Sequence, residues 1–121
     1  MSKFLVDIPY LEIQDINLED ASIKPHVNQG KPILLMIQGN FCHFCTDAKP
    51  AVQELAKMMP NVCVATIQID GEQAEQQAAT VMKKVNSSSG VPAYLIFNSN
   101  GKFVKMHEGG RDLDSLRSSL Q

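Results

Sequence analysis

Apolar and polar positions along this 121-residue chain follow two rhythms. Three short apolar runs, Pro32-Ile33-Leu34-Leu35-Met36-Ile37, Val62-Cys63-Val64-Ala65-Thr66-Ile67-Gln68-Ile69 and Ala93-Tyr94-Leu95-Ile96-Phe97, read as central strands. Continuous apolar runs of that length suit strands covered on both faces, the habit of parallel sheets. Between the first two, Ala48, Ala51, Val52, Leu55 and Met59 form one apolar stripe at helical spacing, with Pro50 inside it predicting a kink. Ala74, Ala78, Val81, Met82 and Val85 line a second helix. Asp70 is its expected cap, with Gln73 three residues on as in a capping box. Ser87-Ser88-Ser89-Gly90 stops that helix, and Leu113, Leu116 and Leu120 mark a final one. Asn100-Gly101 is a strong hairpin signal, and Lys102 to Met106 returns antiparallel from it until Gly109-Gly110. Weaker patterns suggest a first strand at Tyr10-Leu11-Glu12-Ile13 and a short helix within Asn17 to Val27, ended near Asn28-Gln29-Gly30. The order β-α-β-α-β-α-β-β-α predicts an α/β fold, a central mixed sheet with helices on both faces.

No repeat, low-complexity tract or linker interrupts this order, so one domain over residues 1–121 is expected. The chain is 44% hydrophobic and 20% charged, ordinary for a soluble globular protein. A formal net charge of −2 gives no electrostatic reason to expect nucleic acid or anionic membrane as a partner. No apolar run approaches the roughly 18–20 residues that span a bilayer. Met1 to Asp7 is too short and too soon charged for a secretory leader, so the expected address is cytoplasmic. Three cysteines is an odd count, and two of them lie three positions apart. In a reducing compartment that pattern points to redox or metal chemistry rather than to a disulfide scaffold.

Phe41-Cys42-His43-Phe44-Cys45 falls between the first apolar run and the proline-bearing helix. Cys42 should sit at or near the start of that helix, with Cys45 one turn further in. Residues three apart on a helix are neighbours, so the two sulfurs can close a small disulfide ring. Unpaired N–H groups and the positive end of the macrodipole at a helix start stabilise a thiolate. Free cysteine has a pKa near ~8.5, which such surroundings lower. Cys42, outermost, is therefore the expected nucleophile, and Cys45, deeper, the thiol that resolves a mixed disulfide. A zinc site would want a second ligand pair, and Cys63, His26, His43 and His107 form none, so no metal is assigned. Two inert structural thiols are the other alternative. Cys63, mid-strand, reads as a buried small hydrophobe.

These residues resemble the thioredoxin superfamily from about Tyr10 to Leu120. The resemblance rests on Cys42-x-x-Cys45 after a buried strand, Pro50 five residues beyond Cys45, Gly90-Val91-Pro92, Gly101 and Gly109, in the family's order. It implies a thioredoxin fold and a thiol–disulfide oxidoreductase acting on disulfide-containing proteins, supplied by an upstream thiol reductant or reductase, with no cofactor. It also implies a cis bond before Pro92, facing the cysteines and binding substrate backbone, and a Gly109 that leaves room for substrate. Sequence statistics alone favour trans, since only about 5–6% of X–Pro bonds in folded proteins are cis.

Three departures from the family pattern bear on mechanism. Phe41 stands where the family has tryptophan, and the dipeptide is His43-Phe44. The buried acid six positions before the first cysteine is Met36, and its lysine partner on the next strand aligns with Thr66. His43 could assist proton transfer, since its unperturbed pKa is about 6.5, or could simply stabilise the Cys42 thiolate, which is the preferred role. His26 and His107 read as ordinary surface or strand-end residues. His43 and an apolar Met36 both push the potential upward from the about −270 mV of thioredoxin, toward about −220 to −250 mV. The leading function is reduction of protein disulfides. Protein disulfide isomerase or oxidase activity is one alternative. The other is a non-catalytic binding module that uses the apolar rim of Phe41, Phe44, Val91 and Pro92.

Overall fold

The computed structural model describes residues 5–120, so the segment weighed as a leader begins outside the described residues. Four strands form one sheet: β1 (Ile33–Gln38), β2 (Cys63–Gln68), β3 (Ala93–Phe97) and β4 (Phe103–Met106). Their spatial order is β2-β1-β3-β4. β1 pairs parallel with β2, in the register Ile33↔Cys63 to Gln38↔Gln68, and antiparallel with β3. The sheet is mixed, as the hydrophobic pattern requires.

Helices cover both faces, and the period of 2 along β1 sorts its side chains between them. Leu34 and Met36 join Cys42, Cys45, Ala48, Val52 and Leu55 of the helix α2 (His43–Met58), together with Leu116 of α4 (Leu113–Ser119). Ile33, Leu35 and Ile37 point the other way, to Ala78 and Met82 of α3 (Gln73–Met82) and to Leu11, Ile16 and Ile23 from the N-terminal segment. Pro50 lies inside α2 without ending it, although it has no N–H for the carbonyl one turn back.

Three expectations need correction. Tyr10 to Ile13 is not a strand. Tyr10 forms a single parallel bridge with Thr66, fastened by Leu11 N–H to Thr66 O at 2.8 Å and Thr66 N–H to Pro9 O at 3.0 Å. The chain then leaves the sheet edge, because the Asp15 carboxylate accepts the Glu12 N–H at 2.9 Å and closes a 3-10 turn, Ile13–Asp15. The helix expected within Asn17 to Val27 shrinks to α1 (Pro25–Asn28). Upstream of it, Asp20 Oδ1 accepts the Ser22 N–H at 3.0 Å, and Ile16 bridges Ile23, so local side-chain bonding displaces the helix. Finally, α3 is capped by Glu72, whose side chain and that of Glu75 exchange bonds with each other's backbone N–H. Asp70 is turned elsewhere, and α3 ends at Met82, short of Val85.

The hairpin at Asn100-Gly101 forms as expected, with β3 and β4 antiparallel across it. Gly101 has φ +79°, its carbonyl accepts the Ile23 N–H at 2.8 Å, and a Cβ there would lie 2.1 Å from the Ile23 carbonyl oxygen. Both the backbone conformation and the space exclude a side chain. Gly101→Ala should therefore cost roughly 2–3 kcal/mol, the upper part of the usual single-site range. Urea denaturation checks this; an unchanged midpoint would mean that the Ile23 strap moves aside freely.

Candidate active site

α2 begins at the carboxyl end of β1, so its first turn stands at the sheet's edge. Cys42 is the N-cap of α2, with extended backbone, φ −89° and ψ 111°. Its Sγ accepts the Cys45 N–H at 3.1 Å, so the sulfur takes the role that a serine or aspartate oxygen plays in other caps. The Cys42 Sγ–H in turn donates to the Val91 carbonyl at 3.6 Å. Cys42 is 8% exposed and Cys45 0%, and both are free thiols. Burial, then the neighbouring Cys42 sulfur, push the Cys45 thiol well above its ordinary range, against a counter-pull from the Gly39 backbone and Lys49.

The expected rim surrounds this pair. Phe41 and Phe44 are exposed, and the Arg111 guanidinium lies 5.2 Å from the Phe44 ring centre. Val91 and Pro92 are half-buried and joined by a cis peptide bond, with the Val91 carbonyl turned to Cys42. Phe41 and Val91 also edge an apolar hollow of about 380 Å³ that reaches Ile37 and Ile69. Gly109, at φ +127°, borders a second hollow of about 300 Å³ with Pro92, Tyr94, His107 and Arg111. His107 is tied down there, with Nδ1 on Ser119 Oγ and Nε2 2.8 Å from the Gly110 carbonyl.

His43 lies on the outer side of α2 with its side chain 82% exposed, and its Nε2 is 3.3 Å from the Asp47 carboxylate one turn on. Beneath the cysteines, Met36 and Thr66 are opposite each other across the parallel pair, both fully buried. The Thr66 hydroxyl donates to the Met36 carbonyl at 2.8 Å and so satisfies itself within the sheet. Neither member of that facing pair carries a charge.

Two residues of the site were not anticipated. Lys49 is buried, 4% exposed, with its Nζ donating to Asn40 Oδ1 at 3.3 Å. Its spacing was the available signal, since it falls four residues after Cys45 and one after Ala48, on the buried side of α2. Asp70, expected as a helix cap, instead accepts the Asn40 N–H through both carboxylate oxygens at 3.0 Å and the Phe41 N–H at 3.2 Å. It thereby holds the loop that leads into Cys42.

Burial works against ionisation of Asp70, but those N–H groups and the Gln68 side chain outweigh it and hold the carboxyl below its ordinary range. A carboxyl depressed in the folded state stabilises above the unfolded value of about 3.9 and loses that contribution as pH falls through the folded value. Asp70→Asn should thus lower stability most at neutral pH, and the gap from wild type should narrow below about pH 4. Urea titrations at pH 7 and pH 3 measure it. A gap that is constant with pH would assign the loss to shape rather than charge.

The comparisons with known proteins agree with this geometry. Thioredoxin-like protein 453L of Invertebrate iridescent virus 6 is 30% identical over 110 residues, covering 79% of this chain and 78% of that protein. Protein disulfide-isomerase erp38 of Neurospora crassa is 28% identical over 114 residues, 91% of this chain but only 28% of the larger protein. The crystal structure of thioredoxin f from spinach chloroplast superposes with a TM-score of 0.68 at 20% identity, over 100% of this chain and 96% of that one. The family model described as Thioredoxin matches residues 14–121, which takes in the cysteine pair, the Val91–Pro92 loop and every strand of the sheet, and the chain belongs to the thioredoxin family.

Proposed function

We propose that this protein is a thiol–disulfide oxidoreductase that reduces disulfides in protein substrates through the Cys42–Cys45 couple. The observation that carries this reading is the Cys45 N–H aimed at Cys42 Sγ at 3.1 Å, at the start of a long helix. Cys42 attacks a substrate disulfide, forming a Cys42–substrate bond and releasing one substrate thiolate. Cys45 then attacks Cys42 Sγ, the internal disulfide forms, and the second substrate sulfur leaves. An upstream thiol reductant restores the dithiol. The exposed Phe41 and Phe44, with Val91 and Pro92, give a substrate chain an apolar seat beside the reacting sulfur. Gly109 keeps the opposite side of that seat free of a side chain. The reducing direction rests on the cytoplasmic address expected from the sequence.

The isomerase alternative leaned on His43 as a cation near Cys42. The Asp47 carboxylate stands 3.3 Å from His43 Nε2, so any positive charge on that ring is offset by a neighbouring negative one. His43 is thus a secondary electrostatic contributor in the present reading.

Reduction of insulin disulfides tests the couple. Wild type should turn over, Cys42→Ser should be inactive, and Cys45→Ser should accumulate mixed disulfides at Cys42. If Cys45 is alkylated faster than Cys42 at neutral pH, the assignment of nucleophile and resolver is reversed. Equilibration with glutathione tests the direction. The expected potential is about −220 to −250 mV, between protein disulfide isomerase and thioredoxin. Asp47→Ala should raise it, because a carboxylate near the first turn of α2 opposes a thiolate there. A potential near −180 mV would favour the isomerase reading.

A further inference from the structure

Cys45 carries a chemical problem that the residues described so far leave unsolved. It must act as a thiolate, yet it is fully buried, and burial raises its pKa. The layer below it, Met36 against Thr66, holds neither an acid nor a base. Lys49 is placed to answer this. It follows Cys45 by four residues on α2, an interval that returns to the same side of a helix, and lies seven beyond the N-cap Cys42. A lysine is almost never fully buried unless paired, and this one is held from above by Asn40 Oδ1 at 3.3 Å. Asn40 is in turn fixed by its N–H to the Asp70 carboxylate at 3.0 Å. Lys49, Asn40 and Asp70 thus form a connected polar group behind the cysteines, with the cation on the helix that carries both sulfurs.

We propose that Lys49 is the positioning charge of the resolving step, its buried ammonium favouring the Cys45 thiolate that displaces the substrate sulfur. The inference rests on the thiol–disulfide reading above. In the step itself, the Cys45 thiol gives its proton to water and the thiolate attacks Cys42 Sγ of the mixed disulfide. The Cys42–Cys45 bond forms, the Cys42–substrate bond breaks, and the substrate sulfur leaves as a thiolate. Lys49 gains and loses no proton. Among the described residues, three groups act on this pair. Cys42 caps the same helix and Asp70 lies in the turn after β2. Tyr94 comes from β3, its phenol pushed up to about 12 by burial and therefore neutral, with Arg111 acting on it from the loop before α4. Burial is the largest influence on Lys49 and leaves its ammonium more acidic than an ordinary lysine's, against opposing pulls from Cys45, Asp70 and Cys42.

The test uses 5,5′-dithiobis(2-nitrobenzoate) as the disulfide, in stopped flow, with Cys63→Ala as the parent protein. Attack by Cys42 releases the first coloured thiolate and resolution by Cys45 the second, so the two steps are read separately. Lys49→Met, close in volume and uncharged, should slow the second phase about tenfold at neutral pH, since a nearby opposite charge shifts a pKa by about 1–3 units. Its pH profile should move upward, while the first phase changes less. Lys49→Arg should restore the second phase to within about threefold of the parent. Lys49→Gln is run beside Lys49→Met, so that a folding failure of either leaves a neutral variant to measure. A second phase whose rate and pH profile are unchanged in the neutral variants would overturn the proposal. So would an arginine variant as slow as the methionine one, because shape and not charge would then be responsible. Release of only one equivalent by the parent is a different failure. It would show that Cys42 and Cys45 form no couple, and the functional reading would fall with the inference.

Discussion

The parallel pairing of β1 with β2 is the constraint on which the rest of the molecule depends. Two parallel neighbours cannot be joined by a tight turn, so the chain must cross from the carboxyl end of one to the amino end of the other. Here α2 makes that crossing, and its first turn therefore starts where β1 stops. Cys42 reaches the helix N-terminus for this reason, and open α/β sheets in general place their chemistry at the carboxyl ends of strands. The same pairing sets the register Met36↔Thr66 and so fixes what lies beneath Cys45. The antiparallel β3 on the other side of β1 then brings the Val91–Pro92 loop to the same edge. The two pairings of β1 thus gather Cys42, Cys45 and the Val91–Pro92 loop at one end of the sheet.

Where the physics was repetitive, the sequence was legible. β1, β2 and β3 are short continuous apolar runs covered on both faces, and their length and β-branched content favour strands over helices. α2 declared itself by its stripe, and the β3–β4 hairpin by Asn100-Gly101. Two of the failures share one cause, short polar side chains that bond to nearby backbone. Asp15 closes a turn where alternation suggested a strand, and Asp20 bonds to Ser22 where a helix was expected. Asp70 stands two residues before the true cap of α3 and is a plausible cap by composition, yet its partners are Asn40 and Phe41, some thirty positions away. Local pattern cannot reveal a carboxylate whose donors come from another part of the chain.

The site was legible to a similar extent. Cys42, Cys45, Phe41, Phe44, Val91, Pro92 and Gly109 meet around one edge of the sheet, as their motifs implied. Lys49 was passed over because lysine is ordinarily read as solvated. On α2 it shares its side of the helix with Cys45, Ala48 and Val52, all buried, and position rather than residue type was the better guide.

A buried cation beside a thiol pair is an asymmetric device, and the asymmetry links Asp70 to the chemistry. In the dithiol state a thiolate on Cys42 or Cys45 offers Lys49 a nearby opposite charge. In the disulfide state both sulfurs are neutral, and Asp70, in the turn after β2, remains among the charges that favour the ammonium. Removing one member of a buried charge group leaves the other uncompensated, at a cost of about 3–5 kcal/mol in well-studied cases. Lys49 then acts at the mixed disulfide, where Cys45 is the thiolate that it favours. Asp70 reaches it through Asn40, whose N–H it accepts at 3.0 Å and whose Oδ1 takes the Lys49 ammonium at 3.3 Å. The carboxylate that shapes the loop into Cys42 thus also fixes the side chain that holds Lys49 in place.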